Sequence, residues 1–366
     1  MDRIDTAFST LVHPLDVMRR YAILAAGPLG RRFVRDRELR VATLAVLAIA
    51  VAAFFTAYAP FYLLLVGPVL FGVPHLVGDL RYMLVRPGFH KRWPVWVAIA
   101  IPGGFAVAGC GAWAGVSSLA MCALVARGPL WRRAVGMCVA GAFALCTVAS
   151  RTVTDLVVAH AHNVIAILLW TTWRKRSTHV HWLPTAAFFA VLIVMLAGAF
   201  DPMLKALGSM LRVPDRVDIA STLNTYAPFV SQPWALRLTL TFIFAQSVHY
   251  AVWIRLVPED DRGRETPRTF AATARALRSD LGLVLLLVGG VVALGITAWA
   301  TWNLADARLS YLKLSTGHAY IELAAAMLLW MERGRHLGTL PSHERAQTFR
   351  FHLPRRFALA LQRVRA

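Results

Sequence analysis

Five histidines sit inside stretches that are otherwise apolar: His75, His160, His162, His249 and His318. Polar groups in hydrocarbon are costly, so such residues face a bundle interior and take partners there. Three carboxylates stand at helical spacing from them. His75 and Asp79 are four residues apart in "PHLVGD", and so are His318 and Glu322 in "HAYIE", which puts each pair on one helix face. Asp155 and His162 are seven apart, again on one face. A carboxylate behind an imidazole orients a metal-binding histidine and raises its basicity. The spacing predicts a metal centre held by His75, His162, His249 and His318, with Asp79 and Glu322 as the acidic groups beside the reacting atoms. His160 and His162 lie about 200° apart around a helix, so only one of them faces a common point. The face shared with Asp155 favours His162 and leaves His160 and Asp155 as second-choice ligands.

Histidine with carboxylate help suits iron or zinc and suits magnesium or calcium poorly. The four cysteines (Cys110, Cys122, Cys138, Cys146) fall in apolar segments without CxxC spacing and read as small buried hydrophobes. Two histidines on facing helices could also grip a haem from both sides. A transporter or channel could use the same groups as proton or ion sites. A quinone-linked redox role, or simple hydrogen bonding between helices, would need the same burial. Tyr250 and Tyr320 adjoin the histidines and are further catalytic candidates. Arg81, Tyr82 and Gln246 are candidates for the wall of a substrate pocket. The other seven histidines (His13, His90, His179, His181, His336, His343, His352) lie in basic loops or tails.

The elements that must position these groups are membrane helices. Of 366 residues, 58% are hydrophobic and 16% charged, where a soluble domain is about a quarter charged. "VATLAVLAIAVAAFFTAYA", from Val41, runs nineteen residues without a charge, enough to cross about 30 Å of hydrocarbon as a helix. The reading is an all-α, polytopic integral membrane protein. Ten spans are expected, near 41–58, 60–85, 94–110, 112–126, 134–150, 153–173, 182–200, 235–256, 280–303 and 315–332. Residues 1–40 form a basic segment able to lie along the membrane surface. Residues 41–332 form the bundle, and 333–366 a basic tail.

The net charge of +20 points to anionic lipid rather than nucleic acid. With ten spans, thirty-two of the 39 Lys and Arg fall on one side together with both termini, which predicts a cell-membrane protein with both ends in the cytoplasm. The outer loop 201–234 has Leu204, Leu207, Met210 and Leu211 at helical spacing and predicts a short helix on the membrane. The inner loop 257–279 reads as a solvated charged linker. His75, His162 and His249 lie at similar depth in spans that run the same way. His318, only about three residues into its span, matches only if that helix begins earlier or tilts.

"GVPHLVGD" (Gly72 to Asp79) resembles the G-x-P-H-x-x-x-D motif of the Brp/Blh-type β-carotene dioxygenases. "FAQSVHYAVWIRLVP" (Phe244 to Pro258) resembles that family's later H-S-x-x-H segment, with Ser247 and His249 in place. The resemblance covers two short motifs and the general multi-span architecture. It implies a membrane enzyme that cleaves an apolar carotenoid or isoprenoid with O2, using non-haem iron held by histidines. The chain departs from the pattern in places. Ala245 or Gln246 stands where the later motif has its first histidine, Leu76 follows the Pro-His pair where the family has glycine, and the family's early histidine could only be His13.

Overall fold

A computed structural model describes residues 3–173, 178–215, 217–315 and 317–332. The basic tail 333–366 lies outside the described residues, as do the basic residues 174–177. Among the described residues there are helices and no strands. In chain order they are α1 (Arg3–Ala25), α2 (Gly27–Arg35), α3 (Arg37–Tyr58), α4 (Pro60–Asp79), α5 (Trp93–Val107), α6 (Ala112–Val125), α7 (Leu130–Ala149), α8 (Arg151–Thr171) and α9 (Trp182–Leu196). Then come α10 (Phe200–Ala206), α11 (Ile219–Tyr226), α12 (Trp234–Ala251), α13 (Val257–Asp260), α14 (Phe270–Leu281), α15 (Leu283–Ala300), α16 (Leu304–Leu314) and α17 (His318–Met331).

Local chemistry sets many of these boundaries. The Asp36 side chain accepts from the Leu39 N–H at 2.9 Å and starts α3. Ser150 caps α8 in the same way, Thr269 caps α14 and Asn303 caps α16. The Gly-rich stretch around 103–118 resolves into two helices. Gly109 and Gly111, both with positive φ, make the turn between α5 and α6.

All ten expected apolar segments are helical, but they differ in reach. Six are long and apolar enough to cross a membrane: Arg37–Tyr58, Pro60–Val85, Leu130–Ala149, Arg151–Thr171, Trp234–Asp260 and Leu283–Ala300. A seventh arises if α9 and α10, bent by 73°, count as one span. α5, α6 and α17 have 15, 14 and 14 residues, about 21 Å at 1.5 Å per residue, short of the hydrocarbon thickness.

The core runs through α3, α8, α9, α12 and α17, where Ile49, Ile167, Trp170, Phe188, Phe244, Trp253 and Leu328 are buried. α15 lies outside it, with Leu287, Val291 and Leu294 exposed as they would be to lipid. α1 exposes Phe8, Leu11, Leu15 and Met18, an apolar stripe at helical spacing.

Both long loops differ from expectation. The 201–234 segment forms α10 and α11, and Leu204 is buried in the protein while Leu211 is exposed. The 257–279 segment is not a solvated linker, since it contains α13 and part of α14, and Glu259, Asp260 and Arg262 are buried. Pairing makes this possible: Arg40 meets Glu259 at 2.7 Å and the Trp170 indole donates to Asp260 at 2.7 Å.

Candidate metal centre

Four helices deliver the buried histidines. α4 carries His75, whose Nδ1–H donates to the Phe71 carbonyl oxygen at 3.1 Å. A carbonyl can only accept, so the proton sits on Nδ1 and Nε2 is left as a bare donor for a cation. α8 repeats the device: His162 Nδ1–H donates to the Val158 carbonyl at 3.2 Å. α12 carries His249. Neither of its ring nitrogens meets a hydrogen-bond partner. His318 is the first residue of α17, after Gly317 in the left-handed region (φ 91°). The separate helix α16 precedes that turn, which lets a short α17 begin at the depth of the other three histidines.

The chain is packed tightly here. A Cβ on Gly78 of α4 would lie 2.9 Å from the Trp253 carbonyl oxygen, and one on Gly72 would run into the Tyr311 ring. Small residues at these points let the backbones approach. Beyond Asp79 and beyond Ala251 the helices continue as π-helical turns, Leu80–Val85 and Val252–Leu256. Such turns concentrate at functional sites.

The donors converge. One ligand atom each from His75, Asp79, His249 and His318 lie within 4.8 Å of one another. His75 Nε2 is 3.2 Å from His318 Nε2. Asp79 Oδ2 is 3.7 Å from His318 Nε2 and 4.0 Å from His75 Nε2. Glu322 Oε2 is 4.0 Å from His249 Nε2. The His162 ring centroid lies 5.1 Å from that of His249 and 5.4 Å from that of His318. Tyr250 packs its ring 4.7 Å from the His75 ring and fixes its orientation.

His75 and His249 are 1% exposed and Glu322 2%, so water does not satisfy them. Both oxygens of Asp79 and both of Glu322 lack hydrogen-bond partners. The Trp253 indole approaches Glu322 without reaching hydrogen-bonding geometry. Among the described residues the only ion-pair partners of these two carboxylates are histidines. Two buried carboxyl groups with no Lys or Arg beside them either hold a proton or meet a cation, and a divalent cation would offset the charge of both.

A cavity of about 200 Å³ adjoins the centre. Asp79, His318 and Glu322 form its polar wall. Leu76, Leu80, Met83, Leu84, Ile99, Ile321 and Ala325 form the rest, with surface-exposed Trp96 at the edge.

Several expected residues stand elsewhere. Asp155 does not back His162. Seven residues along a helix is about 10 Å of rise, and Asp155 instead accepts from the Tyr320 hydroxyl and pairs with Arg151 at 3.7 Å. Tyr320 is thereby turned away from the centre, two residues past His318 and so on another face. His160 is held outward by the Tyr226 carbonyl at 3.0 Å. Arg81 and Tyr82 line a different cavity of about 360 Å³ between α4 and α15, and Arg81 is committed to Asp280 at 2.7 Å. Gln246 lines neither cavity. His13 is exposed on α1 and belongs to no part of the cluster.

Sequence reasoning missed Trp253, beside Glu322, and the part α5 plays through Trp96 and Ile99. Nothing in their spacing marked them, since each is one apolar residue among many. No protein-family model, no curated protein and no solved structure matches the chain.

Proposed function

We propose that this chain is an integral membrane non-haem iron oxygenase acting on an apolar isoprenoid or carotenoid-like lipid. It would lie in the cell membrane with ten helical segments contributing to the bundle and both termini in the cytoplasm, the arrangement that places most of the Lys and Arg on one side. The observation that carries the reading is the convergence of His75, His249, His318 and Asp79 within 4.8 Å, beside an apolar cavity that Asp79 and His318 line. The likeness of "GVPHLVGD" to the Brp/Blh-type dioxygenases supports iron and O2 over the alternatives.

Iron bound here would supply O2 activation. In a dioxygenase cleavage of a C=C bond, both oxygen atoms end in the two carbonyl products. The residues supply the rest. His75, His249 and His318 hold the ion, and the Phe71 carbonyl and the Tyr250 ring set the angle of His75. Asp79 and Glu322 balance its charge. Leu76, Leu80, Met83 and Ile321 exclude water and hold a hydrocarbon chain beside it. Zinc suits the same donors. His75 and His318, meeting at 3.2 Å, are too close to hold a haem iron from opposite faces, which puts the two nitrogens about 4 Å apart in line.

A second reading, an ion or proton carrier, draws on the break between α16 and α17 at His318, since discontinuous helices build transport sites. Metal analysis of the purified full chain separates the two. Stoichiometric iron, with O2-dependent bleaching of an added carotenoid, is expected. A chain purified under reducing, iron-replete conditions that holds no transition metal overturns the proposal.

A further inference from the structure

The four-residue group leaves two adjacent donors unused. His162 presents a free Nε2, because its Nδ1–H is held by the Val158 carbonyl. Glu322, 2% exposed, has two oxygens without a hydrogen-bond partner. Glu322 stands 4.0 Å from His249 Nε2, and the His162 ring lies 5.1 Å from the His249 ring and 5.4 Å from the His318 ring.

One ion cannot use all six donors. His162 and Glu322 fall outside the group whose ligand atoms converge. A single ion that did collect four imidazoles and two carboxylates would also have six ligands and no position open for O2. Divided between two ions, the six separate into His75, His318 and Asp79 on one side and His162, His249 and Glu322 on the other. Each half is two histidines and one carboxylate, the composition that leaves open positions on a ferrous ion.

Resting on the oxygenase reading, we infer that the centre is dinuclear: a second first-row transition ion binds between His162, His249 and Glu322, beside the first. Ions in such pairs are about 3.5–4 Å apart. Two divalent ions against two carboxylates leave two positive charges. Hydroxide formed from one water, with loss of one proton to solvent, would offset part of that charge. The cavity touches Asp79, His318 and Glu322, so its wall includes residues from both halves.

The test is iron stoichiometry of the full chain in detergent, loaded anaerobically with ferrous iron and freed of loosely held metal by a brief chelator wash. Two irons per chain are expected, with a Mössbauer spectrum of an exchange-coupled pair after oxidation. One iron per chain with the spectrum of an isolated ion overturns the inference and leaves the oxygenase reading standing. No bound iron overturns both. His162→Ala and Glu322→Gln are each expected to lower the count from two to one with an unchanged elution profile on size exclusion. Retention of two irons in both variants also overturns the inference.

Discussion

His75 and His318 face each other across the α4–α17 contact, Nε2 to Nε2 at 3.2 Å. Because the Phe71 carbonyl holds the His75 proton on Nδ1, His75 offers a bare lone pair to its partner. Either a proton on His318 or a shared cation satisfies it. Two nitrogens each about 2.1 Å from one ion and 3.2 Å from each other subtend about 100° at it, an ordinary ligand angle. His75→Ala and His318→Ala are each expected to lower bound iron tenfold or more, measured by elemental analysis of purified protein. Unchanged iron would place the ion elsewhere.

Asp79 tests the charge argument. Asp79→Asn keeps the shape and removes the charge. Metal-free protein is expected to melt at the same temperature or higher, because an unpaired buried carboxylate is gone. Iron affinity is expected to fall about 10–100-fold. Paired thermal melts with and without iron check both signs, and an unaltered affinity would count against a role for Asp79 at the ion.

Filling the cavity should separate metal binding from turnover. Ile99 and Ala325 line it without touching the ion. Ile99→Trp and Ala325→Phe are expected to keep iron content and the fold while abolishing conversion of long apolar substrates. Parallel iron and activity assays read the outcome, and full activity in both would move the substrate to another route.

Glu332 anchors the far end of α17. It accepts from Arg92 at 2.8 Å and from the Arg127 N–H at 2.8 Å. Glu332→Ala removes the carboxylate that pairs with Arg92, which keeps only the Val125 carbonyl, and leaves the Arg127 N–H without that acceptor, a loss of about 3–5 kcal/mol. The double variant Arg92→Met with Glu332→Leu is expected to lose less, as read by melting temperature in detergent.

Gly72 is expected to tolerate no side chain while Tyr311 stays. Gly72→Ala drives a Cβ into the Tyr311 ring and should destabilise by about 1–3 kcal/mol. Adding Tyr311→Ala is expected to recover part of the loss at this position, with the cavity it creates setting the remainder.

Much of the centre could be read from spacing alone. Glu322, read as the partner of His318, stands against His249, whereas His75 with Asp79 needed only the helical repeat. The exclusion of His160 by angle holds for the same reason. Asp155 failed because angular position says nothing about distance along the axis. Tyr320 and Arg81 failed because their partners, Asp155 and Asp280, come from distant parts of the chain and claim them first. The short reach of α5, α6 and α17 was hidden by hydropathy, which measures apolarity and does not show where hydrogen bonding stops. His318 looked too shallow because a run of apolar residues does not reveal that α16 and α17 are separate helices.

The π-helical turn Leu80–Val85 has one further consequence. Each such turn holds an extra residue, as if one had been spliced into a regular helix, and the chain beyond it is rotated by about 100°. Upstream, the rotation is set by His75 and Asp79. Downstream, it is set by Arg86, which reaches Asp261 at 2.9 Å. The splice lets one continuous rod satisfy two clock positions that a regular helix could not meet together. Deleting a residue there would mend the rod and mistime one end: either the donors leave the centre or Arg86 leaves its partner.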